Sequence, residues 1–432
     1  MADQTAAAAR PGLVWRMAHW AAILWIQVGI TIVLFALLST MAGAIVKMVR
    51  HARQRRMPHE TQAYPESAAW VPAYFKAMNS VHMRWYPYVY WKTAPMRSPY
   101  LNIDQHSNRV NWNPPRRQGG GRPLLRVFAF GGSTTWGAGA RDDYTIPSLL
   151  AKDLAANPQY DVEVRNFGQM GWVTSQEVIY LYELLRQGER PDLVIFYDGV
   201  NDTFIGYQDG MAGLTQSEFL RGQEFGILAS SSGRKKLYRT ALRSLLMNTG
   251  MADLIKLLSG RDEATVESTQ ITPLATIAYL APPSDFEGAD AVEQDVVNIY
   301  LFNNQMVRTL GQRFGFGALF YWQPVIYSKH PLTAYEQAFV GAASRQAFFT
   351  GTYRRLAAAA PGDGVHDISG ILDAQGAKTY FVDPWHITEE GNAVAARRIA
   401  SDAAPLLAEA ARTRRAFPSA PQAGSNPVPA PR

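Results

Sequence analysis

The chain of 432 residues contains no cysteine. That absence excludes disulfides, thiolate zinc centres and cysteine nucleophiles, but it leaves the compartment open, because exported proteins lack cysteine as readily as cytosolic ones. Charge is scarce as well: Asp, Glu, Lys and Arg make up 18% of the residues against 47% hydrophobic, and the net charge is +6. The basic residues gather towards the ends, at Arg50, Arg53, Arg55 and Arg56 and again at Arg412, Arg414 and Arg415, and form no stripe interleaved with aromatics. Nucleic acid is therefore not an expected partner. The histidines (His19, His51, His59, His82, His106, His330, His366 and His386) form no cluster with carboxylates, so no metal site and no other cofactor is expected.

In place of charge the chain has an apolar N-terminus. Residues 17–46 carry no formally charged side chain apart from the weakly basic His19, and include Ile23-Leu-Trp-Ile26 and the run from Ile30 to Leu38. The stretch exceeds the roughly 20 residues that a membrane-spanning helix needs, and Trp15, Trp20 and Trp25 sit at one end, where indoles favour the interface. Residues 1–16 then read as a tail and 17–46 as a single transmembrane helix. Ala42-Gly43-Ala44 offers a competing reading as the cleavage site of a signal peptide, although its apolar core would be longer than usual. The orientation signals conflict. Lys47, Arg50, Arg53, Arg55 and Arg56 follow the segment against Arg10 and Arg16 before it, which favours a cytoplasmic C-terminal part. An N-terminal anchor with an export-type site is also how periplasmic enzymes are tethered, and the extracytoplasmic side is the expectation adopted here.

Residues 47–121 read as a basic linker and an aromatic-rich arm, with Trp70, Tyr74, Phe75, Trp85, Tyr86, Tyr88, Tyr90 and Trp91. The alternation from Arg84 to Lys92 predicts one extended segment. Such aromatics can stack on sugar rings; packing the arm onto the main domain is the stronger expectation, because aromatics dominate burial. Asn113 to Gly121 reads as a loop.

From residue 122 strands and helices alternate. Leu124–Phe130, Asp161–Phe167, Asp192–Asp198, Gly317–Pro324 and Val365–Ser369 have the composition of strands, and Thr145–Ala156, Thr174–Gln187, Ala291–Phe314 and Thr388–Arg412 that of helices. Thr174-Ser-Gln-Glu177 has the form of a capping box. The alternation predicts a mostly parallel sheet covered on both faces, in a domain over residues 122–412. Between 203 and 290 it lapses, apart from helical pieces such as Leu237–Leu258, as expected of an insertion over the sheet's C-terminal edge, either a lid or a plain surface loop. The Pro-rich end, within 413–432, predicts disorder from Phe417.

The loops at the C-terminal ends of these strands carry the chemistry. Gly131-Gly-Ser133 follows the first strand and makes Ser133 a candidate nucleophile. Serine hydrolysis also needs a base, a group to orient it, and donors for the carbonyl oxygen as it becomes negative. Asp383-Pro-Trp-His386 lies in the loop before the last helix, where a carboxylate three residues before an imidazole can fold back to Nδ1 and leave Nε2 facing the serine. Gly199-Val-Asn201-Asp follows the third strand and offers a side-chain amide. Asn166-Phe-Gly-Gln-Met-Gly171 follows the second, where glycine lets the backbone approach and donate an N–H. Asp202 reads as a carboxylate bonded to loop or helix-start amides, and His330 and His366 as surface or loop histidines.

Taken in order, these four stretches resemble the four blocks of the SGNH hydrolase superfamily, the GDSL esterases and lipases, over roughly residues 122–410. The resemblance implies a three-layer α/β/α flavodoxin-like sandwich, with Ser133 as nucleophile, His386 as general base and Asp383 as its partner. It implies an oxyanion hole made of the Ser133 N–H, the Gly171 N–H and the Asn201 amide. One departure is visible: the first block usually reads Gly-Asp-Ser and here reads Gly-Gly-Ser, which changes the local turn and not the proton-transfer groups. With the anchor and the arm, the expected substrate is an acylated, above all acetylated, glycan or a lipid. The same triad can pass the acyl group to a sugar hydroxyl, and a non-catalytic glycan- or partner-binding membrane protein is the rival from another class.

Overall fold

The computed structural model describes residues 12–54, 60–115, 121–216, 288–373 and 378–416, with isolated positions between 218 and 258. The expected helix at Leu237–Leu258 falls almost wholly outside the described residues, and the tail from Phe417 falls entirely outside them. The chain divides into two compact units, Met1–Arg56 with Arg221–Ile277 and Met57–Leu220 with Ala278–Arg432.

In the first unit a single helix, α1 (Leu13–Gln54), contains the apolar segment. It runs past the expected limit because Lys47 to Gln54, though polar, contains good helix formers. Within Trp15–Met48 the mean hydropathy of an 18-residue window reaches 2.5, and Trp20, Leu24, Trp25, Ile32 and Leu37 are exposed. Among the described residues it is the one helix long and apolar enough to cross a membrane, a property that signal sequences share.

In the second unit, five parallel strands form the sheet: β3 (Leu124–Gly131), β4 (Asp161–Asn166), β5 (Leu193–Asp198), β6 (Gly317–Trp322) and β7 (Val365–Asp367), in the order β4-β3-β5-β6-β7. Strands buried on both faces read as continuous apolar runs, and every residue of β5 is buried. The pleat sorts them. Leu125, Val127, Ile195, Tyr197 and Tyr321 share one core with α4 (Ile146–Ala155) and α10 (Glu389–Ala416). Phe128, Phe130, Phe196 and Phe320 share the other with α5 (Thr174–Arg186) and α7 (Ala289–Phe314). Because Phe130, Phe196 and Phe320 are in register, their rings form a ladder with centroids 4.9 and 5.6 Å apart. The arrangement is the expected α/β/α sandwich. A helix that the sequence reading left out, α9 (Ala343–Asp363), packs against α7.

Two local expectations are corrected. Arg84–Lys92 is a hairpin rather than one extended segment: β1 (Met83–Tyr86) pairs antiparallel with β2 (Tyr90–Thr93). Pro87 has no N–H for a ladder, and Tyr88 and Tyr90, at φ 65 and 66, take the left-handed conformation that reverses the chain. Thr174 is not the cap of a capping box. The Val173 N–H donates to Gln176 Oε1 at 3.3 Å, Thr174 turns its N–H and hydroxyl to Asp202, and Glu177 points into the interior.

Most of the arm's aromatics are packed: Tyr74, Phe75 and Trp91 are buried, whereas Trp85 and Tyr88 at the hairpin stay exposed. The arm belongs to the same compact unit as the sheet, and it grips the loops at the strands' C-terminal ends. Trp91 Nε1 donates to Met170 O at 2.8 Å, Trp172 Nε1 to Trp91 O at 2.9 Å, and Thr93 N to Gln169 Oε1 at 2.9 Å. Tyr74, on α2 (Val71–Met78), donates its hydroxyl to Gly137 O at 3.1 Å and accepts from Gly139 N at 2.9 Å.

Candidate active site

β3 ends in two glycines, and each has a steric reason. A Cβ on Gly131 would stand 2.1 Å from Thr135 Oγ1 and 2.6 Å from Tyr197 O, and one on Gly132 would stand 2.1 Å from Asn201 Nδ2. Bare backbone at both positions lets the chain turn straight into α3 (Ser133–Trp136), so Ser133 is the first residue of a short helix at the edge of the sheet. The loop behind it is held by the buried Arg109. This side chain donates to Asp142 Oδ1 at 2.7 Å, Ala140 O at 2.8 Å and Gly137 O at 3.2 Å, with its guanidinium over the Trp136 ring.

Ser133 Oγ lies 2.7 Å from His386 Nε2, and His386 Nδ1 lies 2.6 Å from Asp383 Oδ2. The other carboxylate oxygen of Asp383 accepts from the backbone N–H groups of Trp385 and His386, each at 2.8 Å. The loop is closed by Thr388 N donating to Tyr380 O at 2.7 Å and Val382 N to His386 O at 2.9 Å, and Tyr335 donates its hydroxyl to Val382 O at 2.6 Å. Its shape thus leaves the imidazole one orientation. Burial lowers the proton affinity of His386, but the charge and hydrogen bond of Asp383, aided by Glu60, outweigh this and raise its pKa above the usual histidine value. Burial pushes the Asp383 pKa up, and the charge of His386 with the hydrogen bonds from His386 and Trp385 brings it below the ordinary aspartate value. An imidazole that prefers to take a proton, aimed at a serine hydroxyl, can act as a general base.

The amide of Asn201, in the first turn of α6 (Val200–Asp209), donates to Trp172 O at 2.6 Å and lies against Gly132. One of its two N–H bonds is thereby used, and the other meets no acceptor among the described residues. Gly171 precedes Trp172 and sits at φ 70, a conformation that favours glycine. Among the described residues neither the Ser133 N–H nor the Gly171 N–H meets a protein acceptor. The structure thus joins Ser133, His386 and Asp383 in one hydrogen-bonded chain and sets Asn201 beside Gly132, with Gly171 next to the residue that anchors Asn201.

Some side-chain contacts around the site follow from no pattern in the sequence. Thr134 donates its hydroxyl to Gln323 Oε1 at 2.9 Å just beyond the end of β6, and Arg109, Tyr74 and Gln169 support the loops. No spacing signals them, since each partner lies far off in sequence. Asp202 accepts from Thr174 N at 3.2 Å and from the Thr174 hydroxyl, so its carboxylate meets a helix start. Among the described residues no group of three His, Asp or Glu could hold a metal ion.

The model of the GDSL-like lipase/acylhydrolase family matches residues 129–394. No curated relative matches the chain. Among solved structures the chain is similar to an acetyl xylan esterase, AlAXEase, at 15% identity over 64% of this chain and 99% of that one, with a TM-score of 0.34. It is also similar to a carbohydrate acetylesterase family member from Sinorhizobium meliloti (14% identity, 66% and 99% covered, TM-score 0.33). A third is the lipase Lip_vut3 from a goat rumen metagenome (12% identity, 64% and 96% covered, TM-score 0.35). The chain belongs to the GDSL-like lipase/acylhydrolase family and is a carboxylic ester hydrolase.

Proposed function

We propose that Ser133, His386 and Asp383 form the catalytic triad of this esterase. The observation that carries the reading is the unbroken relay from Ser133 Oγ through the imidazole to Asp383, at 2.7 and 2.6 Å. His386 Nε2 takes the hydroxyl proton as Oγ attacks the acyl carbon. The proton on Nδ1 stays in its bond to Asp383, which stabilises the imidazolium. The carbonyl oxygen, now negative, receives the Ser133 N–H, the Gly171 N–H and the free N–H of Asn201. His386 then gives its proton to the leaving alcohol. In the second half it draws a proton from water, which attacks the acyl-enzyme, and gives that proton to Ser133 Oγ as the bond to the acyl carbon breaks and the acid leaves.

The proposed substrate is an acyl ester, above all an acetyl ester, of a glycan or lipid outside the cytoplasm, with α1 as the tether. The apolar surface of α1 requires lipid or a partner to cover it, which supports the tether. Two experiments test this reading. A fluorophosphonate should label Ser133 in the wild-type chain, whereas Ser133→Ala should lose both labelling and hydrolysis of 4-nitrophenyl acetate while melting at an unchanged temperature; labelling retained in Ser133→Ala would move the nucleophile elsewhere. An alkaline phosphatase fusion after residue 60 should be active, and an inactive but expressed fusion would put the catalytic unit in the cytoplasm.

A further inference from the structure

Three contacts, one above another, connect the start of α5 to the β5–α6 turn. Uppermost, Asn201 donates to Trp172 O at 2.6 Å. Next to it, the Asp202 carboxylate takes the Thr174 N–H at 3.2 Å and the Thr174 hydroxyl. One helical turn further along α5 from Thr174, the carboxyl group of Glu177 faces that of Asp198, the last residue of β5, near enough for one to donate to the other when it carries a proton. This lowest contact is the anomaly. Glu177 is fully buried, Asp198 is 3% exposed, and neither oxygen of Glu177 nor Oδ2 of Asp198 has an N–H or O–H donor among the described residues. Among the described residues the groups that interact with the pair are Asp202 from α6 and Tyr300 from α7, whose ring packs on Trp322 of β6, itself packed on Tyr353 of α9. None is a cation.

Two adjoining carboxylates cannot both be ionised in such a place. Each buried charge costs several kcal/mol, and here no cation offsets it. A hydrogen bond between two carboxyl groups also needs a proton on one of them. We propose that Glu177 and Asp198 share one proton at neutral pH, donated from Glu177, and that this protonated pair is the strut that positions Asn201. The proposal rests on the reading of Asn201 as an oxyanion donor; it adds two positioning residues and a source of pH dependence apart from the triad. Burial, the negative charge of Asp198 and the bond to it, and more weakly Asp202, hold the Glu177 pKa well above the ordinary carboxyl range. Burial likewise raises Asp198, with Asp202 adding and the bond from Glu177 opposing. Burial pushes Asp202 up to about 6 against the pull of the Thr174 donors. Loss of the shared proton at alkaline pH therefore leaves like charges in contact across α5 and the β5–α6 turn. The separation this drives moves Asn201 away from Gly132 and costs turnover.

The test is Glu177→Gln in the full chain, because the amide donates the same hydrogen bond and cannot lose its proton in this range. With 4-nitrophenyl acetate from about pH 6 to about pH 9.5, kcat of Glu177→Gln should lie within about threefold of wild type at neutrality. The wild-type alkaline fall in kcat should move up by about one pH unit or more, and the acid limb set by His386 should not move. Glu177→Leu, which leaves Asp198 without a proton donor, should lower kcat about tenfold or more with KM within about twofold. A Glu177→Gln profile that superimposes on wild type, a wild-type profile with no alkaline fall, or wild-type kcat in Glu177→Leu would each overturn the strut. Should Glu177→Leu fail to fold, the Glu177→Gln profile decides alone. Asn201→Ala, measured alongside, separates the two readings: turnover near wild type there overturns the oxyanion role, whereas reduced turnover with superimposed Glu177→Gln and wild-type profiles overturns the strut only.

Discussion

Gly132 offers a way to displace Asn201, the proposed oxyanion donor, without substituting it. The residue sits at φ −76, ψ −150, a conformation open to any L residue, so Gly132→Ala meets no backbone penalty. Its Cβ, however, would stand 2.1 Å from Asn201 Nδ2, 3.2 Å from Asn201 Cγ and 3.4 Å from Trp172 O. Ordinary contact requires the amide nitrogen to retreat by more than about 1 Å, and a misplacement of that size costs on the order of 100-fold in rate. Complete loss of one oxyanion donor costs about 10²–10³ in kcat, or about 3–4 kcal/mol, so Gly132→Ala and Asn201→Ala should both fall in that range. Folding should suffer little, by about 1 kcal/mol for the lost bond to Trp172 O. The two effects should not add, because Asn201→Ala removes the group that Cβ strikes; the double variant should turn over 4-nitrophenyl acetate about as fast as Asn201→Ala alone. Gly132→Asp, which restores the residue usual in this block, should fail for the same reason. Turnover of Gly132→Ala within about threefold of wild type, or single losses that multiply in the double variant, would refute the placement of Asn201 in catalysis.

Two further outcomes are expected. Because Asp383 raises the His386 pKa, and the base works only when neutral, activity should be present above that raised value and lost as pH falls through it; in Asp383→Asn the acid limb of kcat/KM should shift to lower pH while kcat falls by about 10⁴. A limb that stays in place would sink the pairing. A fragment starting at residue 57 should fold and hydrolyse 4-nitrophenyl acetate, whereas one starting at residue 122 should not fold, since it lacks Tyr74, Trp91 and Arg109 and leaves the Asp142 carboxylate and the Ala140 carbonyl without the donors that hold them; circular dichroism and turnover of the two fragments check this.

What was legible in the sequence, and what was not, follows from how each group is held. β5 is legible because a strand buried on both faces must be apolar throughout, and Leu193 to Tyr197 is. The blocks at Gly131 to Ser133, at Asn201 and at Asp383 with His386 are legible because each asks one tight loop for a particular residue type. Helix α9 was within reach, since Phe349, Tyr353 and Leu356 are buried at helical spacing, but the run of alanines after them hides where the helix stops. The arm is different in kind. Trp91 to Met170, Tyr74 to Gly137 and Arg109 to Ala140 are hydrogen bonds between residues far apart in the chain, and no local period encodes them.

Glu177 shows how a local pattern can mislead at the point where the fold matters most. Thr174-Ser-Gln-Glu177 satisfies the rule for a helix start, in which threonine accepts from the backbone and glutamate reaches back to it. Here Asp202 takes the Thr174 N–H and hydroxyl, so the threonine has no part in capping its own helix, and Gln176 serves the Val173 N–H. Glu177, displaced from that task, lies in the interior against Asp198. A cap is worth about 1 kcal/mol, and burying an acid costs more than that. The arrangement is thus unfavourable as a helix start and becomes intelligible only as part of the contacts between α5 and the β5–α6 turn, where Thr174, Glu177, Asp198 and Asp202 lie next to the bond from Asn201 to Trp172 O.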